Sequence, residues 1–333
     1  MSVNLETFMN GEICVAEQQQ ENLELREARK TAKAKYGFLP TSIWHIIKSE
    51  SLMRYTDDTM RGSQEHGGNP LSEFSPDVAK RIVMLWSDEG DIVLDPFGNR
   101  GSIVMMARLL NRASICNEIV PTYYNHIKEK VECNKLGDFA KPIRLINGDA
   151  RCLQIDDASV DLIATSPPFW DVEKYESTDG QMSDITTYQA FLLEYEKSIK
   201  ECNRVLKNGR YCVFVVNDIR REKTLIPFHA DTINIFMRNG FQLHDIIINV
   251  LNSASIQGIG QAVENKYTAK MHEYILVFKK VAPAYKRFVT PKSEADAMMA
   301  QVTQDNVQVN VAVSVIKKEE ENWGSLKPQG NRY

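Results

Sequence analysis

Apolar positions along this chain gather into short runs that end on polar or acidic residues, with helical spacing between them. Asp91-Ile92-Val93-Leu94-Asp95 reads as a strand. It enters a turn, Pro96-Phe97-Gly98-Asn99-Arg100-Gly101-Ser102, and Ile103 to Leu110 then follows the helical period. Ala113 to Glu118 predicts a second strand, and Ile143 to Ile146 a third that runs into Asn147-Gly148-Asp149. The apolar run Asp161 to Thr165 predicts another, which stops abruptly at Ser166-Pro167-Pro168-Phe169. Farther on, Cys202 to Arg210 reads as a helix and turn before a strand at Tyr211 to Val216, and Met271 to Phe278 predicts a late strand. Strands alternating with helices predict an α/β fold, a doubly wound and mainly parallel sheet.

The ends of the chain read differently. Residues 17–35 predict a polar helix, acidic early and basic late, as the helix dipole favours. Tyr36 to Pro40 ends it, and Trp44, Ile46 and Ile47 need burial, so 41–56 is expected to pack on the main domain. The glycines at 62, 67 and 68 mark a joint before Pro70. After residue 281 the pattern thins into a linker, a candidate strand at Val307 to Ile316 and a charged tail. Three parts follow: an N-terminal helical extension over 1–69, a catalytic domain over 70–281 and a C-terminal extension over 282–333.

Two features carry candidate chemistry. The strand–glycine loop–helix at 91–110 is how α/β folds hold nucleotides: glycines let the backbone approach, and the helix start offers free N–H groups. Glu118, twenty positions after Gly98, ends the next strand where a carboxylate can take both ribose hydroxyls. At 166–169, two prolines fix φ and remove two donors, so carbonyl oxygens there face away from the sheet. A hydroxyl, rigid carbonyls and an aromatic face at a strand end suit a flat ring carrying an exocyclic amine. Read alone, the same residues could be a proline turn capping a buried strand.

With these motifs the chain resembles the amino-methylating DNA methyltransferases, in particular phage-type and orphan bacterial members. Asp95-Pro96-Phe97 with Gly98, Gly101 and Ser102 is similar to their loop for S-adenosylmethionine, and Thr165 to Phe169 to their catalytic Ser-Pro-Pro-aromatic signature. Pro70 to Pro76 before the helical Val78–Trp86 resembles the element that touches the methionine carboxylate, and 202–216 and 271–278 resemble later elements. Asn99-Arg100 replaces the smaller residues more common in the family after Asp-Pro-Phe-Gly. The resemblance spans roughly residues 70–281. It implies a Rossmann-like methyltransferase sheet, S-adenosylmethionine as cofactor and double-stranded DNA as partner. Ser72, Phe74, Asp95, Phe97, Gly98, Gly101 and Ser102 would line the methionine part, Glu118 the ribose and Asp149 the adenine amine. Ser166, Pro167, Pro168 and Phe169 would act on a base flipped from the duplex. Trp170 either stacks on that base or belongs to the core. Ser in the first motif position goes more often with cytosine N4 than with adenine N6, an association of the family and not a derivation; a non-catalytic DNA-binding protein on the same fold is the other reading, against which the intact Ser166–Phe169, Asp95 and Glu118 speak.

Composition restricts the alternatives. The 333 residues, 43% hydrophobic and 25% charged, suffice for one α/β core with small appendages. No apolar run reaches the length of a membrane span and the first residues lack a signal-peptide pattern, so a cytoplasmic protein is expected. The six cysteines form no Cys-x-x-Cys pair, which predicts neither structural zinc nor a disulfide framework, and no metal site is expected. None follows a proline, as the nucleophile of carbon-5 cytosine methylation does. The net charge of −4 gives no general attraction to phosphates. Basic residues cluster at Arg26–Lys48, Lys200–Lys223 and Lys266–Arg287. The first cluster could lie along DNA, or could stay solvated while Tyr36–Ile47 covers the sheet. Sequence recognition is assigned to 1–65, an irregular 252–270 segment or the last fifty residues.

Overall fold

The computed structural model describes residues 24–45, 75–132, 141–170, 178–221, 223–251 and 256–281. Ser72, Phe74, the joint before Pro70 and the whole C-terminal extension lie outside the described residues.

Helix α1 covers residues 24–36 and ends where Gly37, at φ 75°, turns left-handed and donates its N–H to Lys33 O at 2.9 Å. β1 (Ile43–His45), α2 (Pro76–Trp86), β2 (Ile92–Asp95), α3 (Ser102–Leu109), β3 (Ala113–Glu118), α4 (Pro121–Glu132), β4 (Ile143–Asn147) and β5 (Val160–Thr165) follow. Then come α5 (Tyr188–Val205), β6 (Leu206–Val216), the short strands β7 (Ile219–Arg221) and β8 (Thr224–Ile226), and α6 (Phe228–Arg238). β9 (Phe241–Val250), α7 (Ile256–Asn265) and β10 (His272–Lys280) close the described part.

Eight strands form one sheet in the order β1-β9-β10-β6-β5-β2-β3-β4. All its pairs are parallel except those of β10, which runs against both β6 and β9. Successive side chains alternate between the two faces of the sheet. Val93, Leu162, Ala164, Val213 and Val277 face α2 and α3, while Leu94, Ile163, Cys212, Phe214 and Leu276 face α5 and α6. Because the central strands are covered on both faces, all six residues of β5 are buried, and the one acid among them, Asp161, is neutralised by Lys207 at 2.8 Å. The chain winds from β2 out to β4, then returns to the other side of β2 at β5, so the doubly wound arrangement has its switch point between β2 and β5.

Several elements were not in the sequence pattern. β1, β9, α6 and the β7–β8 pair were unassigned, and the segment read as irregular over 252–270 contains the helix α7. Trp44 is buried as expected, stacked on Trp86 at 6.3 Å between ring centres, with the Arg81 guanidinium 5.4 Å from its own. Ile46 and Ile47 fall outside the described residues. Among the described residues, no helix is long and apolar enough to cross a membrane.

Candidate active site

The switch point opens into a cleft whose empty space, open solvent included, is about 520 Å³. Phe97 and Asn99 line it from the loop after β2, Glu118 from the end of β3, Asp149 from the loop after β4, and Ser166 and Pro168 from the turn after β5. Motifs seventy residues apart in sequence thus share one wall.

The loop after β2 is held down by its glycines. Gly98 donates its N–H to Asn117 O at 2.8 Å, and an added Cβ there would overlap Cys116 Sγ and approach Asn117 O to 3.3 Å. Gly101, at φ 78°, caps α3 and donates to Gly98 O at 2.7 Å. Neither glycine lines the cleft, and buried Ser102 opens α3 behind it. Their part in the site is to bring Phe97 and Asn99 close to β3.

Both carboxylate oxygens of Glu118 take backbone N–H groups, Oε2 from Asn99 at 2.6 Å and Oε1 from Val120 at 2.8 Å. Burial pushes its carboxyl above the ordinary range, and these hydrogen bonds oppose the rise. Asp95 is sealed deeper, and burial raises it from the ordinary 3.8 to about 7 although Thr165 Oγ1 donates to it at 2.7 Å and Phe97 N at 3.1 Å. Asp95 therefore ties the loop after β2 to the end of β5 and is not among the residues that line the cleft.

Asp149 is occupied by Arg151, whose Nε reaches its two oxygens at 3.0 and 2.9 Å and whose Nη2 lies 2.6 Å from Oδ2. With the Arg151 N–H on Oδ1 at 2.8 Å, the acceptor positions of the carboxylate are filled. Arg151 also donates to Gly180 O at 2.9 Å, which fixes the lining at Gly180, Gln181 and Met182 beside Asp149.

In the turn after β5, Ser166 is part-buried and Pro167 and Pro168 are buried. Half-buried Phe169 stands edge-on to Phe228 with ring centres 6.0 Å apart. Trp170 is bound into the fold, donating Nε1–H to Ile185 O at 3.0 Å and resting on Tyr188, 5.4 Å between centres. Two contributors were missed. Asn117 Nδ2 donates to Pro96 O at 3.1 Å and Gly148 O at 2.9 Å, stitching two loops together. Its place just before the strand-end acid, on the opposite face of β3, was the available signal. Gly180–Met182 carries no motif.

Residues 12–129 and 160–327 match the DNA methylase family, N6_N4_Mtase. Among curated relatives, the type II methyltransferase M.MthZI of Methanothermobacter thermautotrophicus is 28% identical over 149 residues, 39% of this chain and 42% of that protein. The type II methyltransferase M.MjaVI of Methanocaldococcus jannaschii is 30% identical over 120 residues, 36% of this chain and 59% of that protein. The chain spans 42% of the length of each of the first two relatives, M.MthZI and the orphan methyltransferase M.BamHII of Bacillus amyloliquefaciens. A solved structure with likeness is TrmN from Thermus thermophilus, at TM-score 0.43 and 16% identity over 69% of this chain and 53% of that one.

Proposed function

The chain belongs to the DNA methylase family, and on that premise we propose that it methylates an exocyclic amine of a base in double-stranded DNA, cytosine N4 in preference to adenine N6. The observation that carries this reading is the shared cleft: Glu118 and Ser166 line the same space at the switch point of the sheet. S-adenosylmethionine is the cofactor, and when bound it supplies an electrophilic methyl group. The residues present suit it. The backbone-anchored carboxylate of Glu118 suits the ribose hydroxyls of a nucleoside, and Phe97, Asn99 and Asp149 line the same cleft.

Glu118 holds the ribose hydroxyls, its orientation fixed by Asn99 and Val120. Phe97 and the Gly98–Ser102 loop border the methionine end, together with Ser72 and Phe74 from the preceding segment. Asp149 receives the adenine amine, for which Arg151 must release one of its contacts. Ser166 Oγ and the Pro167 carbonyl accept the hydrogens of the target amine, which localises its nitrogen lone pair for attack. Phe169 supplies an aromatic face to the extruded base, and Trp170 holds the turn. With the cofactor bound, the amine nitrogen would take the methyl group as its bond to the sulfonium sulfur breaks, the sulfur keeping that pair as a neutral thioether and the amine releasing a proton to water; no covalent intermediate with the protein is needed.

Mass spectrometry of nucleosides from DNA of a host expressing the chain tests the reading. N4-methylcytosine is expected; N6-methyladenine alone would overturn the choice of base, and no modified base would overturn the activity. In vitro, Ser166→Ala should lower turnover by roughly a hundredfold or more with little change in cofactor affinity, while Glu118→Ala should weaken cofactor binding first. Equal losses in both quantities for Ser166→Ala would remove its assigned role.

A further inference from the structure

Two excursions leave the sheet at the edge that carries Ser166. After Val216, at the end of β6, the chain forms the β7–β8 hairpin; after Val250, at the end of β9, it returns through α7 to His272. His272 pairs with Val250 and Tyr274 with Val216, so both excursions stand on one edge. β6 is the parallel neighbour of β5, the strand that ends in the 166–169 turn, and Phe228, which Phe169 meets, begins the helix after the hairpin.

Each excursion presents an exposed lysine in left-handed backbone, Lys223 at φ 70° and Lys266 at φ 57°. That conformation costs a non-glycine residue about 1 kcal/mol, and Asn is the usual substitute for Gly. Of the three other described non-glycine residues with positive φ, two are asparagines. Lysine has no backbone advantage at such a position, so its ammonium group explains its presence better.

One guanidinium joins the two lysines. Arg220 Nη1 donates to Lys223 O at 3.0 Å, and Arg220 Cζ lies 4.0 Å over the ring of Tyr267, the residue after Lys266. Lys270 Nζ donates to Asp218 O at 2.5 Å, a further tie between the two excursions. The Asp218 carboxylate faces His229 Nδ1 at 2.6 Å, leaving Glu264 as the exposed acid on α7.

We propose that Lys223 and Lys266, braced by Arg220 and Lys270, clamp the phosphate backbone of duplex DNA beside the catalytic turn. The clamp positions the duplex and reads no bases. It rests on the methylase reading of the adjoining cleft, and its test separates the two. Binding of a fluorescein-labelled mixed-sequence duplex to the full chain is followed by anisotropy across a salt series. Lys223→Gly/Lys266→Gly removes two charges while relieving the backbone, so melting temperature should hold or rise as DNA affinity falls. Two lost phosphate contacts predict binding weaker by roughly ten- to thirtyfold near physiological salt, and a log–log salt slope shallower by about 1.8. Lys223→Arg/Lys266→Arg should keep the affinity of the parent. Unchanged affinity and slope in the glycine variant would overturn the clamp while leaving the methylase reading intact. A parent chain that binds no DNA at any salt, yet is stabilised by S-adenosylmethionine, would overturn the clamp and DNA as the substrate together.

Discussion

Asp95 ends β2 with its carboxyl sealed from water, and the Thr165 hydroxyl and the Phe97 N–H together offset only part of the cost of charging it. Between pH 3.8 and about 7 the folded chain keeps a proton there that the unfolded chain has lost. Stability therefore falls as pH rises through that window, and the loss is complete above about 7. Asp95→Asn retains an acceptor for Thr165 and Phe97 but does not titrate. Relative to the parent, it should gain stability from pH 4 to pH 8 by up to about 4 kcal/mol. Urea unfolding of both proteins across that range measures the gain, and a constant difference would mean that Asp95 is ionised throughout. Gly98 makes a different kind of demand, on space. Gly98→Ala sets a methyl against Cys116 Sγ and should cost about 1–3 kcal/mol. Cys116→Ala in the same chain should restore part of that loss, because Asn117 O and Ile127 Cδ1 still stand at 3.3 Å. Additive losses in the double variant would exclude the contact as the cause.

Elements that are covered on both faces were the ones legible in the sequence. β2, β3, β5 and the apolar part of β6 pack helices above and below, so apolar residues dominate them on both faces and the pattern ends sharply at the loops that line the cleft. β9 lies one strand from the sheet edge, and Gln242, His244, Asp245 and Ile246 on it are exposed, so its residues neither alternate cleanly nor run on. β1 is three residues long and exists because Ile43 and His45 find partners in Ile248 and Val250, information that no local pattern holds. In α7, Gly258 and Gly260 argue against a helix by propensity, yet it is helical. The site divides in the same way. Phe97, Glu118, Asp149, Ser166 and Pro168 follow strands with strong patterns and reach the cleft. Gly180–Met182 arrives from a long connection, placed there by Arg151 across a long sequence separation. Trp170 shows why residue type alone left two readings open: an indole suits base stacking and core packing equally, and only its bond to Ile185 O and its contact with Tyr188 tie it to the fold.

At the scale of the whole described domain, strand direction decides which basic residues can meet the substrate. Ser166, Glu118, Asp149 and the paired excursions all stand at the edge where β5 ends. β1 is parallel to β9, β9 and β6 both run against β10, and β6 is parallel to β5, so β1 points the same way as β5. The chain consequently reaches Ile43 from the edge opposite the cleft. Phe38 and Trp44 pack there against α2, with the Arg81 guanidinium 4.7 Å from the Phe38 ring centre, so this stretch covers the sheet as one of the two sequence readings expected. The basic residues of α1 are exposed, and Lys30 is paired with Glu27 at 2.5 Å. The C-terminal end of α1 therefore lies toward the edge opposite the 166–169 turn, which favours the solvated reading of its basic residues. Reversing the charge of Arg29, Lys30 and Lys33 to Glu should leave both DNA affinity and the salt slope as in the parent, whereas three lost phosphate contacts would flatten the slope by about 2.7. Anisotropy titrations of that triple variant over a salt series make the comparison directly. A flattened slope would place the N-terminal helix on the DNA.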